Sequence, residues 1–195
     1  MVKQFFFLLG HFRCFPHWLL FGISKNKSII ESDIKRWMEF EGILKKNLVQ
    51  GLIYLLVFYP EFRNLFYHRI GSSSVFINWL CRKKSNLYLP TPKIGPGLFI
   101  QHGDSSIIGA KSIGSNCWIN QEVSVGYSDK GKTPVVGNNV TFGPGSKVFG
   151  DITIGNNVII GANAVVLKNV PDNCIVVGVP AYIVKRDGIK VREEL

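Results

Sequence analysis

From Ile94 to about Pro171, apolar residues return every six positions. The hexads are IGPGLF, IQHGDS, then, after one extra residue (Ser106), IIGAKS, IGSNCW and INQEVS; VG opens the next before a break, and they resume at Val136 as VGNNVT, FGPGSK, VFGDIT, IGNNVI, IGANAV and VLKNVP. First positions are Ile94, Ile100, Ile107, Ile113, Ile119, Val125, Val136, Phe142, Val148, Ile154, Ile160 and Val166. Fifth positions are mostly small or aliphatic, as at Cys117, Val123, Val140, Ser146, Ile152, Val158, Ala164 and Val170. Neither a helical nor a simple strand period fits this spacing. It fits one short strand plus a turn per hexad, with three hexads closing a triangular coil. First and fifth side chains then point inward. Gly and Asn supply corners where positive φ is tolerated. Stacked coils bury one aliphatic column and pair their strands in parallel. Twelve hexads predict about four coils.

Upstream the pattern is helical. A helix is predicted from a cap at Ser32 through Phe40, ending near Gly42. A second spans about 43–58 around LVQGLIYLLVF, too short for a membrane span. A third starts at Pro60, where a missing N–H costs little, and stops near Gly71. One more short helix is expected over 72–83. Residues 1–23 are aromatic and basic but too broken for a clean span; packing on the helices and lying at a membrane interface both remain open. Three segments result: an α-helical N-terminal domain over 1–86, a coil domain over 87–187 and a polar C-terminal tail over 188–195 expected to fray.

Charge and cysteines narrow the setting. The net charge of +10 is concentrated in residues 1–93, with 14 Lys and Arg against 5 Asp and Glu; residues 94–195 hold 9 against 8. No nucleic-acid motif accompanies this excess, so no nucleic-acid partner is expected. An anionic lipid surface or an acidic glycan suits it equally. The four cysteines show neither paired spacing nor a metal motif, so no metal is expected. Cys117 falls on an inward position and reads as a small hydrophobe. A cytoplasmic setting follows, with contact at the inner membrane face as a variant.

His102 is the one histidine within the repeat, third in its hexad and pointing outward, beside the irregularity at Ser106. A positioned imidazole can take the proton of an attacking hydroxyl, typically worth about 10²–10⁴-fold. The insert YSDKGKTPV, between Tyr127 and Val135, is a polar loop thrown out of a regular coil, where function often sits.

The stretches YPEFRNLFYHRIG, IGPGLFIQHG and VGNNVTFGPGSKVFGDITIGNNVIIGANAVVLKNVPDNCIVVGVPA together resemble the hexapeptide-repeat acyltransferases, over about residues 55–187. The resemblance is to serine acetyltransferase and to the capsular and exopolysaccharide O-acetyltransferases. It implies a left-handed parallel β-helix, acetyl transfer from acetyl-CoA to a hydroxyl, and a homotrimer, with a dimer of trimers as a further possibility, whose sites lie between neighbouring coils. It implies His102 as general base. It places Gly143, Pro144, Ala162 and Leu167 along the CoA arm, with Lys168 and more weakly Arg186 toward a CoA phosphate. A backbone N–H near Gly126 or Tyr127 would meet the oxyanion. Serine acetyltransferase carries acids where this chain has Leu87 and Gln101, and a loop histidine where it has Thr133. Gln101 and Thr133 are thus candidate acceptor contacts, and their chemistry favours a sugar hydroxyl over serine. Asp104 and Glu122 are alternative partners for His102. A non-catalytic coil scaffold is the third reading.

Overall fold

The computed structural model describes residues 2–129 and 131–195. Met1, in the front segment, and Lys130, in the inserted loop, lie outside the described residues. The chain divides into two compact units, Met1–Ser85 and Asn86–Leu195.

The first unit holds α1 (Val2–Arg13), α2 (Phe15–Ile23), α3 (Lys27–Phe40), α4 (Leu48–Phe58) and α5 (Pro60–Ile70). Its start and stop signals differ in part from those expected. Ser32 is not a cap: α3 begins at Lys27, and the Ser32 hydroxyl donates to the Ser28 carbonyl inside the helix at 3.0 Å. α4 begins at Leu48 rather than 43 because Asn47 and Gln50 form a reciprocal capping box there, which satisfies two orphan amide donors. After α5 the expected helix over 72–83 is only a 3₁₀ stretch, Gly71–Phe76.

The core of this unit is aliphatic and aromatic. Leu52, Leu55, Leu56 and Leu65 are fully buried, and Trp37 meets Phe62 edge-on at 5.3 Å; each such burial contributes about 1.5–3 kcal/mol. A Cβ at Gly10 would collide with Val57, and one at Gly51 with Met38, so these glycines let α1 and α3 close onto α4. The buried Arg69 guanidinium donates to Asp33 at 2.8 Å, tying α5 to α3. The front segment does pack, yet Phe5, Phe6, Leu8, Leu9, Phe12, Phe15, Trp18, Leu19 and Ile23 stay exposed. Among the described residues, no single helix is long and apolar enough to cross a membrane; α1 and α2 pass such a test only as a pair bent by 56°.

The second unit is a parallel β-solenoid of about five turns, a left-handed β-helix of hexapeptide repeats. Its first sheet stacks β1 (Leu87–Tyr88), β3 (Ser106–Ile108), β6 (Ser124–Gly126), β9 (Lys147–Phe149) and β12 (Val165–Val166). The second stacks β4 (Ser112–Ile113), β7 (Val135–Val136) and β10 (Thr153–Ile154), extended by bridges from Ile94 and Val170. The third runs from β2 (Phe99–Ile100) through β5 (Trp118–Ile119), β8 (Thr141–Phe142) and β11 (Ile159–Ile160) to β13 (Cys174–Val177). The expected four coils gain a fifth because both ends escape the hexad spacing. Leu87 starts the first turn ahead of Pro90 and Pro92, and Thr91 holds the corner between those prolines through Ile108 O and Ala110 N. Pro171 lies in the shortened last turn.

Fifth positions are inward as expected: Cys117, Val123, Val140, Ser146, Val158 and Ala164 are each 0% exposed. One first position is not. Ile107 is 51% exposed, and its neighbour Ile108 is the buried residue. At an adjacent corner, side-chain amides stack down the solenoid. Asn139 donates to Asn157 at 2.9 Å, Asn157 to Asn173 at 2.8 Å, and Asn173 to Asp187 at 2.9 Å. All four residues have positive φ. The closing segment is ordered too. Residues 189–194, expected to fray, form β15 (Ile189–Glu194), antiparallel to β14 (Tyr182–Arg186) across an Asp187-Gly188 turn with positive φ at both residues, the geometry that a two-residue hairpin favours.

Candidate active site

The corner joining the third sheet to the first recurs once per turn. Register sets its normal length: Ile119 to Val125, Phe142 to Val148 and Ile160 to Val166 are paired, equivalent positions six residues apart. Ile100 pairs with Ile119 and Ile108 with Val125, so the corner carrying His102 spans eight. The single extra residue read at Ser106 is therefore two, and the following corner is one shorter. This also explains the reversal of Ile107 and Ile108.

The lengthened corner is strained where His102 sits. His102 has φ 66°, Gly103 φ 61° and Ser105 φ 52°, whereas the equivalent corner of the next turn has only Glu122 in that region, at φ 61°. The Gly103 N–H donates to the Gln101 carbonyl at 2.8 Å. A two-residue bond around a centre with positive φ is the rare, strained form of γ-turn. Such outliers cluster at functional sites because the surroundings must hold them. Those surroundings are visible. Gln101 N donates to Ile119 O at 2.8 Å and Glu122 N to Asp104 O at 2.7 Å. Ser106, fully buried, donates its hydroxyl to Asp104 O and accepts from Val123 N. Asn86 donates to the Asp104 carboxylate at 3.2 Å. The imidazole itself is exposed.

The remaining predicted residues lie on two edges of the first sheet. Gln101, His102, Gly143, Pro144 and Ala162 share the corner column that enters it. A Cβ at Gly143 would come within 2.7 Å of Ala162 N, so coil stacking alone already requires glycine there. Pro144 accepts from Asn163 N at 2.9 Å, and Ala162 is exposed. Gly126, Tyr127, Thr133, Leu167 and Lys168 lie on the column leaving the sheet. Tyr127 is exposed and Thr133 half-buried. Leu167 and Lys168 line a cavity of about 120 Å³ with Pro180, Ala181, Glu194 and Leu195, where the Lys168 ammonium donates to the Leu195 carbonyl. Arg186 is paired with Glu193 at 2.6 Å, which leaves it less available to an anion.

Two features carry no sequence signal. Lys147 occupies an ordinary outward position, but its ammonium folds onto the His102 column and donates to Glu122 O at 2.6 Å and Gly145 O at 2.9 Å. In the first unit, Cys14, His17 and Cys81 converge in the core, a grouping that no metal motif announced because the third member is 64 residues from the second.

Residues 133–168 match the model for the bacterial transferase hexapeptide (six repeats). A serine acetyltransferase of Synechococcus elongatus is 38% identical over 157 residues, covering 70% of this chain and 62% of that protein. One from Staphylococcus aureus is 49% identical over 106 residues, covering 52% and 50%. The chain thus spans between half and just over three fifths of the length of these curated relatives. The crystal structure of Neisseria gonorrhoeae serine acetyltransferase superposes with a TM-score of 0.68 at 28% identity, covering 85% of this chain and 67% of that one. A serine acetyltransferase in complex with CoA gives 0.64 at 27% identity, covering 80% and 68%. These relatives lend no support to the polysaccharide branch. The chain carries the bacterial transferase hexapeptide repeat, folded as a left-handed β-helix.

Proposed function

We propose that this protein is an acetyl-CoA-dependent O-acetyltransferase of the serine acetyltransferase type, with L-serine as its leading acceptor. The observation that carries this is the strained, two-residue-longer corner that presents His102 on a repeat shared with serine acetyltransferases. A hydroxyl is a poor nucleophile at neutral pH. His102 takes its proton as the oxygen attacks the thioester carbonyl, and the CoA thiolate leaves. The CoA arm runs along the column of Gly143, Pro144 and Ala162, with Leu167 and Lys168 beyond it; a relative solved with CoA supports the donor. A backbone N–H at Gly126 or Tyr127 meets the oxyanion. The candidates divide between two edges of one sheet, so a homotrimer, in which one chain's entering edge faces its neighbour's leaving edge, completes each site. Four free cysteines suit a reducing, cytoplasmic setting.

A second acceptor class has one specific support. Gln101, Leu87 and Thr133 stand where serine acetyltransferase has two acids and a histidine, so a free amino group finds no carboxylate at those positions. A sugar hydroxyl is that second reading. Thiol release from acetyl-CoA, measured with L-serine and separately with nucleotide sugars and glycans, tests both. Turnover with serine supports the first reading, and turnover with sugars alone the second. No thiol release with any acceptor leaves the scaffold reading.

A further inference from the structure

The Cys14, His17 and Cys81 side chains come from three places in the first unit: the break between α1 and α2, the first turn of α2, and the segment after the 3₁₀ stretch. All three residues are buried, with Cys14 and His17 at 0% and Cys81 at 1% exposure. The two sulfurs are 3.6 Å apart, and the sulfurs and one ring nitrogen all lie within 4.8 Å of one another. Cys14 and His17 are three residues apart at the start of α2, which puts them on one helix face.

The hydrogen bonds around His17 decide its tautomer. The Tyr67 hydroxyl donates to the Cys81 carbonyl at 2.5 Å. That bond uses its single proton. The contact of 2.9 Å between Tyr67 Oη and His17 Nε2 must then run from the ring N–H to the oxygen. His17 Nδ1 therefore carries a bare lone pair. It is buried and has no hydrogen-bond partner among the described residues. A buried acceptor without a partner is destabilising, and the two thiols in the same pocket can offer it only weak S–H donors.

We infer that Cys14, Cys81 and His17 form a binding site for a thiophilic divalent ion, Zn²⁺. Zinc takes Cys₂His donor sets, with Zn–S near 2.3 Å, so two thiolates on a tetrahedral ion lie about 3.8 Å apart. The observed sulfur separation is within a few tenths of that, and far from the ~2.05 Å of a disulfide. The His17–Tyr67 bond is the outer partner that fixes a ligating imidazole in the required tautomer. Two thiolates cancel the charge of the ion, which matters beside the Arg13 and Arg63 guanidinium groups, the latter held by the carbonyls of Leu56, Val57 and Arg82. A water takes the fourth position. On loading, the ion displaces the protons that the two thiols carry, and these pass to solvent.

The test is metal content of the full chain, reduced, stripped with chelator, reloaded with Zn²⁺ and dialysed. Retention of about one zinc per chain is expected. Cys14→Ser and Cys81→Ser should each lower retention at least about tenfold, while Cys117→Ala with Cys174→Ala should not. Circular dichroism checks that each variant keeps its helices. The parent protein loaded with Co²⁺ gives a reading that needs no substitution: a thiolate-to-cobalt charge-transfer band sized for two sulfurs. No zinc retention, retention carried by Cys117 and Cys174, no thiolate band, or reductant-reversible loss of two thiols without an ion would each overturn the assignment.

Discussion

The Gly103 amide donates to the Gln101 carbonyl across a single residue, at 2.8 Å, and that residue is His102 at φ 66°. A side chain at this φ costs about 1–2 kcal/mol compared with ordinary backbone. The solenoid offsets the cost through the buried Ser106 hydroxyl and the Glu122–Asp104 bond. Function and stability should therefore separate here. His102→Gly relieves the strain and His102→Ala retains it, so the glycine variant should be the more stable by about 1 kcal/mol in urea titration. Neither should turn over acetyl-CoA at the parent rate. An alanine variant as stable as the glycine one would mean that the corner is unstrained.

Gly143→Ala tests coil stacking independently of chemistry. The added methyl meets the backbone of Gly161 and Ala162 at 2.7–2.8 Å. Backbone cannot swing away as a side chain can, so destabilisation of about 1–3 kcal/mol is expected. The urea midpoint reads this directly, and an unchanged midpoint would show that the third and fourth turns are more loosely stacked than described.

The asparagine ladder makes a paired prediction. Asn157 both bonds along the stack and sits at φ 56°. Asn157→Gly loses only the bonds. Asn157→Ala loses the bonds and must also hold positive φ, so it should unfold about 1 kcal/mol more easily than the glycine variant. Equal midpoints would show that the lost side-chain bonds, not the positive φ, set the cost.

In the helical unit, Asp33→Ala leaves the Arg69 guanidinium buried without its carboxylate. Breaking one side of a buried pair costs about 3–5 kcal/mol. Replacing both partners with apolar residues should cost much less. Far-UV circular dichroism against denaturant distinguishes the two; equal losses would mean that packing rather than charge is at stake.

The hexad spacing revealed the solenoid because a six-residue strand-plus-turn unit writes its inward positions into the sequence. It stopped short where other corner chemistry took over: Pro90, Thr91 and Pro92 at one end, Pro171 at the other. The strain at His102 was half legible. An irregularity was visible beside Ser106, but two adjacent isoleucines look alike in a string, and only register shows that Ile108 faces in and Ile107 out. Ser32 misled because α3 had already begun five residues earlier, at Lys27, and the Ser32 hydroxyl bonds back to the Ser28 carbonyl, whereas Asn47 succeeds as a cap through a partner three residues on. Lys147 and the Cys14–His17–Cys81 cluster depend on tertiary approach and leave no local pattern.

The most direct test of the central claim is kcat/KM for thiol release from acetyl-CoA, measured for the parent protein and for His102→Ala with the best acceptor found. The imidazole is exposed and makes no part of the core, so the variant should fold as the parent does and lose about 10²–10⁴-fold in rate. A folded variant that turns over at the parent rate would contradict the account.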